Sequence, residues 1–425
     1  MLLLTKKTRT ILFWIFVVLF FILLLILISF SFGFKISFEG AHPKIQKTGA
    51  LYLEVEPDDN LLFFLNHKLK TPKKRLFGGY FFENLLPRKY LIEIKKENYF
   101  EWKKNIEILP GLVSFAKVKL IKKNPQPQFL FKTTSTLLLF SEKNQKFIFQ
   151  NKNQLEIFDL KEKKLERKIL PKKIIIKKVY PHPFSSKKLL IFGKISKENS
   201  TTSIFEFDLF KEKLTHLKTL KTSLNLEINP KNGEYFYFDK NHNLFKENIF
   251  HHSKELILSS SSWPLNSTST FNLKEIKFLN SHFLALNTTL GIFIFDLNSK
   301  NFLTKTPIPN AELILIDPNK EKIIFYKENQ LKIKYLKKIF SPVIRNQGEV
   351  DLLVNWEKIE KIDFYKDQNY LLVLKNKKLF FLELDPRDPI NIYPLEENIT
   401  NFWYLKEKNL LFILKENSFF FYKSL

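Results

Sequence analysis

The stretch Gly291-Ile292-Phe293-Ile294-Phe295-Asp296-Leu297 decides the fold, because its ending returns through the last 300 or so residues of the chain. Leu155-Glu156-Ile157-Phe158-Asp159-Leu160 and Ile204-Phe205-Glu206-Phe207-Asp208-Leu209 repeat it closely. Looser copies stand at Leu244-Phe245-Lys246-Glu247, Leu331-Lys332-Ile333-Lys334-Tyr335-Leu336, Leu379-Phe380-Phe381-Leu382-Glu383-Leu384 and Ser418-Phe419-Phe420-Phe421-Tyr422. Short aromatic and β-branched runs of this kind read as strands covered on both faces. The step averages about 44 residues, within the roughly 40–50 of a repeat built from four strands.

The sequence between the endings has a constant grammar. Glu312-Leu313-Ile314-Leu315-Ile316 is followed by a turn at Asp317-Pro318-Asn319-Lys320-Glu321, a strand at Lys322-Ile323-Ile324-Phe325-Tyr326, and a tight turn at Lys327-Glu328-Asn329-Gln330. Leu226-Glu227-Ile228, Asn229-Pro230-Lys231-Asn232-Gly233 and Glu234-Tyr235-Phe236-Tyr237-Phe238 follow the same order. Proline and Asn, Asp or Gly sit where hairpin turns need them. One four-stranded sheet cannot bury both of its faces, so neighbouring sheets must stack and the ring must close. Residues 129–425 are therefore expected to form an all-β propeller of seven blades, with six or eight blades, or a pair of β-sandwiches, as the alternatives. The Pro-Asn/Asp-Lys/Gly turns resemble those of TolB-like and WD40-like propellers, although no Trp-Asp dipeptide or Gly-His pair marks the blades.

Before the repeats, every residue from Ile11 to Phe34 is apolar except Ser29, Ser31 and Gly33. A helix of about 24 residues at roughly 1.5 Å each spans about 36 Å, enough to cross a hydrocarbon core of about 30 Å. Residues 11–34 are expected to be an uncleaved transmembrane anchor, with Ile11, Trp14, Phe20, Leu25 and Phe34 among its lipid-facing positions. The competing reading is a cleaved signal peptide, whose apolar core runs only about 7–15 residues and ends at a small-x-small site. Ser29-Phe30-Ser31-Phe32-Gly33 is a poor site of that kind. Lys6, Lys7 and Arg9 abut the helix on a ten-residue tail, whereas Lys35, Lys44 and Lys47 follow it. Long downstream domains translocate largely regardless of charge, so the tail 1–10 is expected in the cytoplasm and the bulk outside it. No second apolar run is long enough to span, which predicts a single-pass protein of the cell membrane.

A linker at 35–47, around Gly40-Ala41-His42-Pro43, leads into a small all-β unit over 48–121. Its strands are expected at Leu51–Glu56, Leu61–Leu65, Lys89–Lys95, Trp102–Ile108 and Ser114–Leu120. The order of five features resembles the PEGA domain, a surface-associated β-sandwich. They are Gly49-Ala50-Leu51-Tyr52-Leu53, the turn Pro57-Asp58-Asp59-Asn60, Lys70-Thr71-Pro72, Leu86-Pro87-Arg88-Lys89-Tyr90-Leu91 and Lys95-Lys96-Glu97-Asn98-Tyr99. Asn60, Arg88 and Asn98 stand where that family carries glycine; asparagine tolerates the left-handed conformation, arginine does not. The resemblance implies a non-catalytic, envelope-exposed module. A polar linker, Lys122-Lys123-Asn124-Pro125-Gln126-Pro127-Gln128, separates it from the repeats.

Composition narrows the function classes. The chain has 425 residues, 44% of them hydrophobic, and no cysteine, which excludes disulfides and thiolate chemistry. A net charge of +26 invites a nucleic-acid reading. The lysines are spread along the whole chain on the polar sides of strands, which favours a solvated basic surface and weak attraction to anionic lipid or cell-wall polymer. Only 10 glycines stand beside 46 phenylalanines, a bias of the whole chain rather than of a site.

No catalytic constellation stands out. Gly-x-Ser-x-Gly, His-Glu-x-x-His and Gly-x-x-x-x-Gly-Lys are all missing. His251 and His252 are adjacent and would point to opposite faces of a strand, which disfavours shared metal ligation. Asp159, Asp208 and Asp296 recur and could ring a calcium or substrate site, but an acidic residue before the last Leu of an outer strand is better read as a rim residue. Asp385-Pro386-Arg387-Asp388-Pro389 reads as a rigid blade connection. Asn199, Asn266, Asn287 and Asn398 head sequons expected by chance in an Asn-rich chain. The sequence thus predicts no enzyme, no cofactor and no metal, but an extracytoplasmic scaffold that presents a propeller to a protein, peptide or glycan in the envelope. The alternative is a propeller lyase or hydrolase acting on envelope polymer, with an acidic pair drawn from different blades. Reversed orientation would make it a cytoplasmic nucleic-acid or lipid tether.

Overall fold

A computed structural model describes residues 6–31, 33–37, 44–75, 78–142, 144–171, 174–195, 202–220, 227–229, 231–239, 241–251, 253–264, 273–279, 282–304, 306–308, 311–366 and 368–423. The linker residues Gly40-Ala41-His42-Pro43, together with His252, Asn199 and Asn266, lie outside them. Two compact units divide the chain. The first comprises Met1–Asn124, Phe340–Ile344 and Leu382–Tyr393; the second comprises Pro125–Ile339, Arg345–Phe381 and Pro394–Leu425.

The first unit opens with helix α1, Lys6–Ser31. The most apolar 18-residue window within its stretch Lys6–Ile28 has a mean hydropathy of 3.6 and is not buried against the other described residues. Length and composition alone would let it cross a membrane. Ile11, Trp14, Phe20 and Leu25 all lie on it with their side chains exposed. Phe34 does not, because the helix stops at Ser31 and Phe34 begins a strand. Gly33 at φ +79° takes the left-handed turn that ends helices, and its carbonyl accepts the N–H and Oγ1 of Thr48, both at 2.7 Å. The expected membrane residue Phe34 is thus corrected to a strand position beyond the helix.

Strands β1 (Phe34–Ser37) and β2 (Lys44–Lys47) pair as a hairpin. The chain continues as β3 (Gly49–Glu56), β4 (Leu62–Leu65), β5 (Lys68–Lys70), β6 (Lys73–Lys74), β7 (Tyr80–Leu85), β8 (Lys89–Lys95), β9 (Trp102–Glu107) and β10 (Val113–Lys119). They form two four-stranded sheets, ordered β10-β3-β7-β6 and β5-β4-β8-β9. Leu51, Leu53 and Val55 of one sheet and Ile92, Ile94, Trp102 and Ile106 of the other meet in one buried cluster. Alternation places these residues on the inner face of each strand, the pattern of a β-sandwich. Asn60 and Asn98 adopt φ +50° and +61°, the left-handed conformation that asparagine tolerates.

The second unit is a ring of four-stranded antiparallel sheets. Blade one is Thr136–Ser141, Lys146–Asn151, Gln154–Asp159 and Lys164–Ile169. Blade two runs from Ile174–Pro181 to Lys213–Leu220, blade three from Glu227–Ile228 to Lys254–Leu258, and blade four from Leu273–Phe278 to Asn301–Phe302. Blade five runs from Leu313–Ile316 to Val350–Asn355, and blade six from Ile359–Tyr365 to Ile392–Glu397. The seventh takes Ile399–Leu405, Leu410–Lys415 and Ser418–Tyr422 from the C-terminus and a fourth strand, β11 (Gln128–Lys132), from the start of the ring. The ring is therefore closed by its own two ends. Phe131 of β11 lies opposite Phe419 and stacks on Phe158 of blade one, with ring centroids 4.0 Å apart.

Two-residue turns between the second and third strands carry the glycine-poor composition. Glu328-Asn329, Asn376-Lys377 and Glu416-Asn417 all have positive φ at both positions, the geometry of a type I′ hairpin. The recurring Phe-x-Phe-Asp-Leu endings form the third strand of each blade, not the outermost one as expected. They are apolar on both faces because sheets stack on each side. Phe293 and Phe295 pack in one interblade cluster, Ile292 and Ile294 in the next.

Candidate functional site

In blades one to six the innermost strand is the first in the chain and in blade seven it is Ile399–Leu405, and the innermost strands of blades one and two, three and four, five and six, and six and seven approach one another. All seven run the same way, so their final residues gather at one mouth. At three of them the residue just past the strand caps its own turn. The Phe184 N–H donates to His182 Nδ1 at 3.2 Å, the Lys231 N–H to Asn229 Oδ1 at 3.0 Å, and the Asn319 N–H to Asp317 Oδ1 at 3.1 Å. These are Asx-type turns, in which the side chain substitutes for a backbone acceptor.

Blades one and seven depart from that arrangement. Ser141 Oγ accepts the Asn144 N–H in blade one, which releases the next side chain, Glu142. In blade seven the Lys406 carbonyl accepts the Asn409 N–H, so the Lys406 ammonium is free of turn duty as well. Blade six contributes Lys361 and Asp363, two residues apart on Ile359–Tyr365 and so on one side of the strand. Asp363, Lys406 and Glu407 are close enough to Glu142 to act on its protonation, and Lys406 and Lys361 close enough to act on that of Asp363.

Burial pushes the Glu142 carboxyl up, the charge of Asp363 adds to it, and Lys406 opposes. Asp363 is raised in the same way by burial, with Lys406 and Lys361 pulling against it. Burial also holds the Lys361 ammonium down at about 8. Its Nζ donates to Asn401 Oδ1 at 2.9 Å and to the Phe402 carbonyl at 2.5 Å, and lies 4.9 and 4.8 Å from the ring centres of Phe402 and Trp403. Two acids raised by burial beside a lysine that is lowered by it form the kind of cluster that marks ligand-binding and catalytic sites. Three carboxyls, of Glu142, Asp363 and Glu407, gather there with the ammonium groups of Lys361 and Lys406. Chemically the cluster can receive a cationic or hydrogen-bond-donating group.

Sequence reasoning missed this cluster. Its members are unremarkable in their own strands and meet only because blades one, six and seven are neighbours in a closed ring. The one available signal was Lys361-Ile362-Asp363, two charges inside an inner strand.

The residues singled out from the sequence have structural duties. Asp159 Oδ1 accepts the N–H groups of Lys161 and Glu162, and Asp208 Oδ1 those of Phe210 and Lys211. Asp296 accepts from the Asn298 N–H and Ser299 Oγ and pairs with Lys320 at 2.5 Å, buried rather than on the rim. The three aspartates thus recur because each caps the turn after a third strand. Asp385 holds Arg387 through two parallel bonds, Nε to Oδ1 at 2.9 Å and Nη2 to Oδ2 at 2.5 Å, and Arg387 Nη2 also donates to the Phe115 carbonyl at 3.1 Å; all three residues belong to the first unit. His251 is exposed in a turn after Leu244–Asn248. Asn287 lies on the second strand of blade four, and Asn398 takes a left-handed turn between blades six and seven. No three His, Asp or Glu residues gather as metal ligands among the described residues.

These features define an all-β protein in which an N-terminal apolar helix and a β-sandwich precede a seven-bladed propeller. Among solved structures the chain is similar to the β-propeller domain of Cps50 (Swd1) from Myceliophteria thermophila, with 12% identity and a TM-score of 0.46 over 71% of this chain and 100% of that one. No family model matches the chain, and no curated protein matches it.

Proposed function

We propose that this protein is a membrane-anchored, extracytoplasmic scaffold whose propeller binds a protein, peptide or glycan of the cell envelope at the mouth of its channel. The observation that carries the reading is the Glu142, Asp363, Lys361 and Lys406 cluster, assembled from three blades and kept despite the cost of burying charge. The exposed apolar surface of α1 supports the anchor, and the basic tail before it supports a cytoplasmic N-terminus. The PEGA-like order of turns supports an envelope-facing sandwich. Protease treatment of intact cells tests the location: digestion of the propeller supports it, and digestion only after lysis contradicts it. Co-purification from solubilised membranes tests the binding role; failure to recover any stable partner counts against it.

A second reading is favoured by the same pair of carboxyls. Glu142 and Asp363, both raised by burial and coming from different blades, are suited to proton transfer in a hydrolase or lyase acting on envelope polymer. Loss of polymer turnover in a Glu142→Gln variant that still recovers its partner would favour that reading over the scaffold.

A further inference from the structure

The first unit carries a patch of exposed apolar side chains. Leu109, Leu112 and Val113 are 45%, 57% and 58% exposed, and Phe340 and Ile344 beside them are 71% and 59% exposed. All five line one groove of about 580 Å³, and all five belong to the first unit. A patch of large apolar side chains on one side of a small unit marks an interaction surface.

The position of the patch identifies what covers it. The Gly111 N–H donates to the Thr48 carbonyl at 2.8 Å, and the Thr48 N–H donates to the Gly33 carbonyl at 2.7 Å. The loop Leu109–Val113 is therefore two hydrogen bonds, through Thr48, from Gly33 just beyond α1. Gly33 lies five residues beyond Ile28, the end of the apolar span. Three helical residues at about 1.5 Å and two more at no more than about 3.5 Å put it within about 12 Å of that end. The headgroup layer on each side of a bilayer is about 5–8 Å deep. A loop at that level sits where interfacial segments bury apolar side chains in the headgroup and acyl boundary. Lys47, whose side chain lies against Gly111, and Lys89 in the groove are exposed and suit anionic headgroups.

We infer that Leu109, Leu112, Val113, Phe340 and Ile344 form a second, interfacial membrane contact that lays the first unit onto the lipid surface from which α1 emerges. The inference rests on the reading of α1 as a membrane anchor and adds to it a docking face that the helix alone does not require.

The natural chain has no cysteine, so single probes can be placed without background. Full-length Leu112→Cys and Phe340→Cys, each labelled with an environment-sensitive fluorophore, are reconstituted into phosphatidylcholine/phosphatidylglycerol vesicles that carry nitroxide lipids. Leu19→Cys on α1 and Phe210→Cys, 82% exposed in blade two, serve as the deep and aqueous references. The expected result is several-fold stronger quenching at 112 and 340 by shallow nitroxides than at 210, with 19 quenched by deep ones. Quenching at 19 with 112 and 340 indistinguishable from 210 overturns the interfacial contact and leaves the anchor standing. A blue-shifted, unquenched probe at 112 whose signal depends on protein concentration assigns the patch to a second copy and overturns it as well. No quenching at 19 removes the anchor reading and the inference with it.

Discussion

Lys104 and Glu383 form an ion pair closed off from solvent, with Nζ 2.7 Å from Oε2 and side chains 0% and 4% exposed. Both residues belong to the first unit, and nothing in the pair is left unsatisfied. Lys104 also donates to the carbonyls of Arg387 and Asp385 at 3.0 and 3.3 Å, while Glu383 accepts Trp102 Nε1 at 3.0 Å and Asn391 Nδ2 at 2.7 Å. Burial pushes the Glu383 carboxyl up, and the charge of Lys104 is the main force that opposes it.

Removing one partner of such a pair costs about 3–5 kcal/mol, because the other charge stays buried alone. Lys104→Met is expected to destabilise by that amount at neutral pH, and Lys104→Met with Glu383→Leu by markedly less. Urea denaturation of both variants provides the check. The single-variant deficit should shrink as pH falls and Glu383 takes up a proton; a deficit that stays constant with pH would contradict the assignment.

Ring closure rests on β11, and Phe131 is its anchor between Phe158 and Phe419. Truncating a buried phenylalanine costs about 3–5 kcal/mol. Phe131→Ala should lower the unfolding midpoint of the propeller and speed amide exchange in both Gln128–Lys132 and Ser418–Tyr422. Protection confined to one strand would mean that the two ends do not close the ring together.

Glu247 supplies a pH signature for blade three. Burial pushes its carboxyl up, but hydrogen bonds from Lys218, Tyr235 and Tyr237 outweigh burial and bring it from 4.5 down to about 2. A carboxyl lowered in the fold contributes stability that is present above its unfolded value and is lost as pH falls towards the folded one. After allowance for solvent screening the contribution is on the order of 1–2 kcal/mol. Thermal melts of the natural chain and Glu247→Gln should differ at pH 7 and converge by pH 2. Parallel curves would show that the three donors do not hold the charge.

Asp363 has the opposite sign. A carboxyl raised by burial binds its proton more tightly in the fold, so its ionisation costs stability as pH rises above the ordinary aspartate value. Asp363→Asn should therefore melt a few degrees higher than the natural chain at pH 7 and show no advantage near pH 3.5. A residue retained at the expense of stability is one kept for function. A lower melting temperature at pH 7 would assign Asp363 a structural role instead.

The blades were legible because third strands covered on both faces need apolar runs and because each turn after them needs an Asp cap, as at Asp159, Asp208 and Asp296. The apolar helix was legible for an equally local reason, although it ends before Phe34. Ring closure was hidden, since Phe131 and Phe419 lie at opposite ends of the repeats and their pairing is fixed only by the ring. The buried Lys104 and Glu383 were hidden for the same reason; Trp102, which donates to Glu383, stands 281 residues from it. Glu142 carries no local signature, and Lys361 and Asp363 carry only that of two charges within one strand, because what distinguishes them is their meeting at the channel mouth.

The most direct test of the account is parallel capture from solubilised membranes with the natural chain and with a Glu142→Gln, Asp363→Asn variant whose melting curve shows an intact ring. The account predicts a partner that is recovered with the natural chain and lost with the variant. Equal recovery with both would contradict binding at the mouth of the channel.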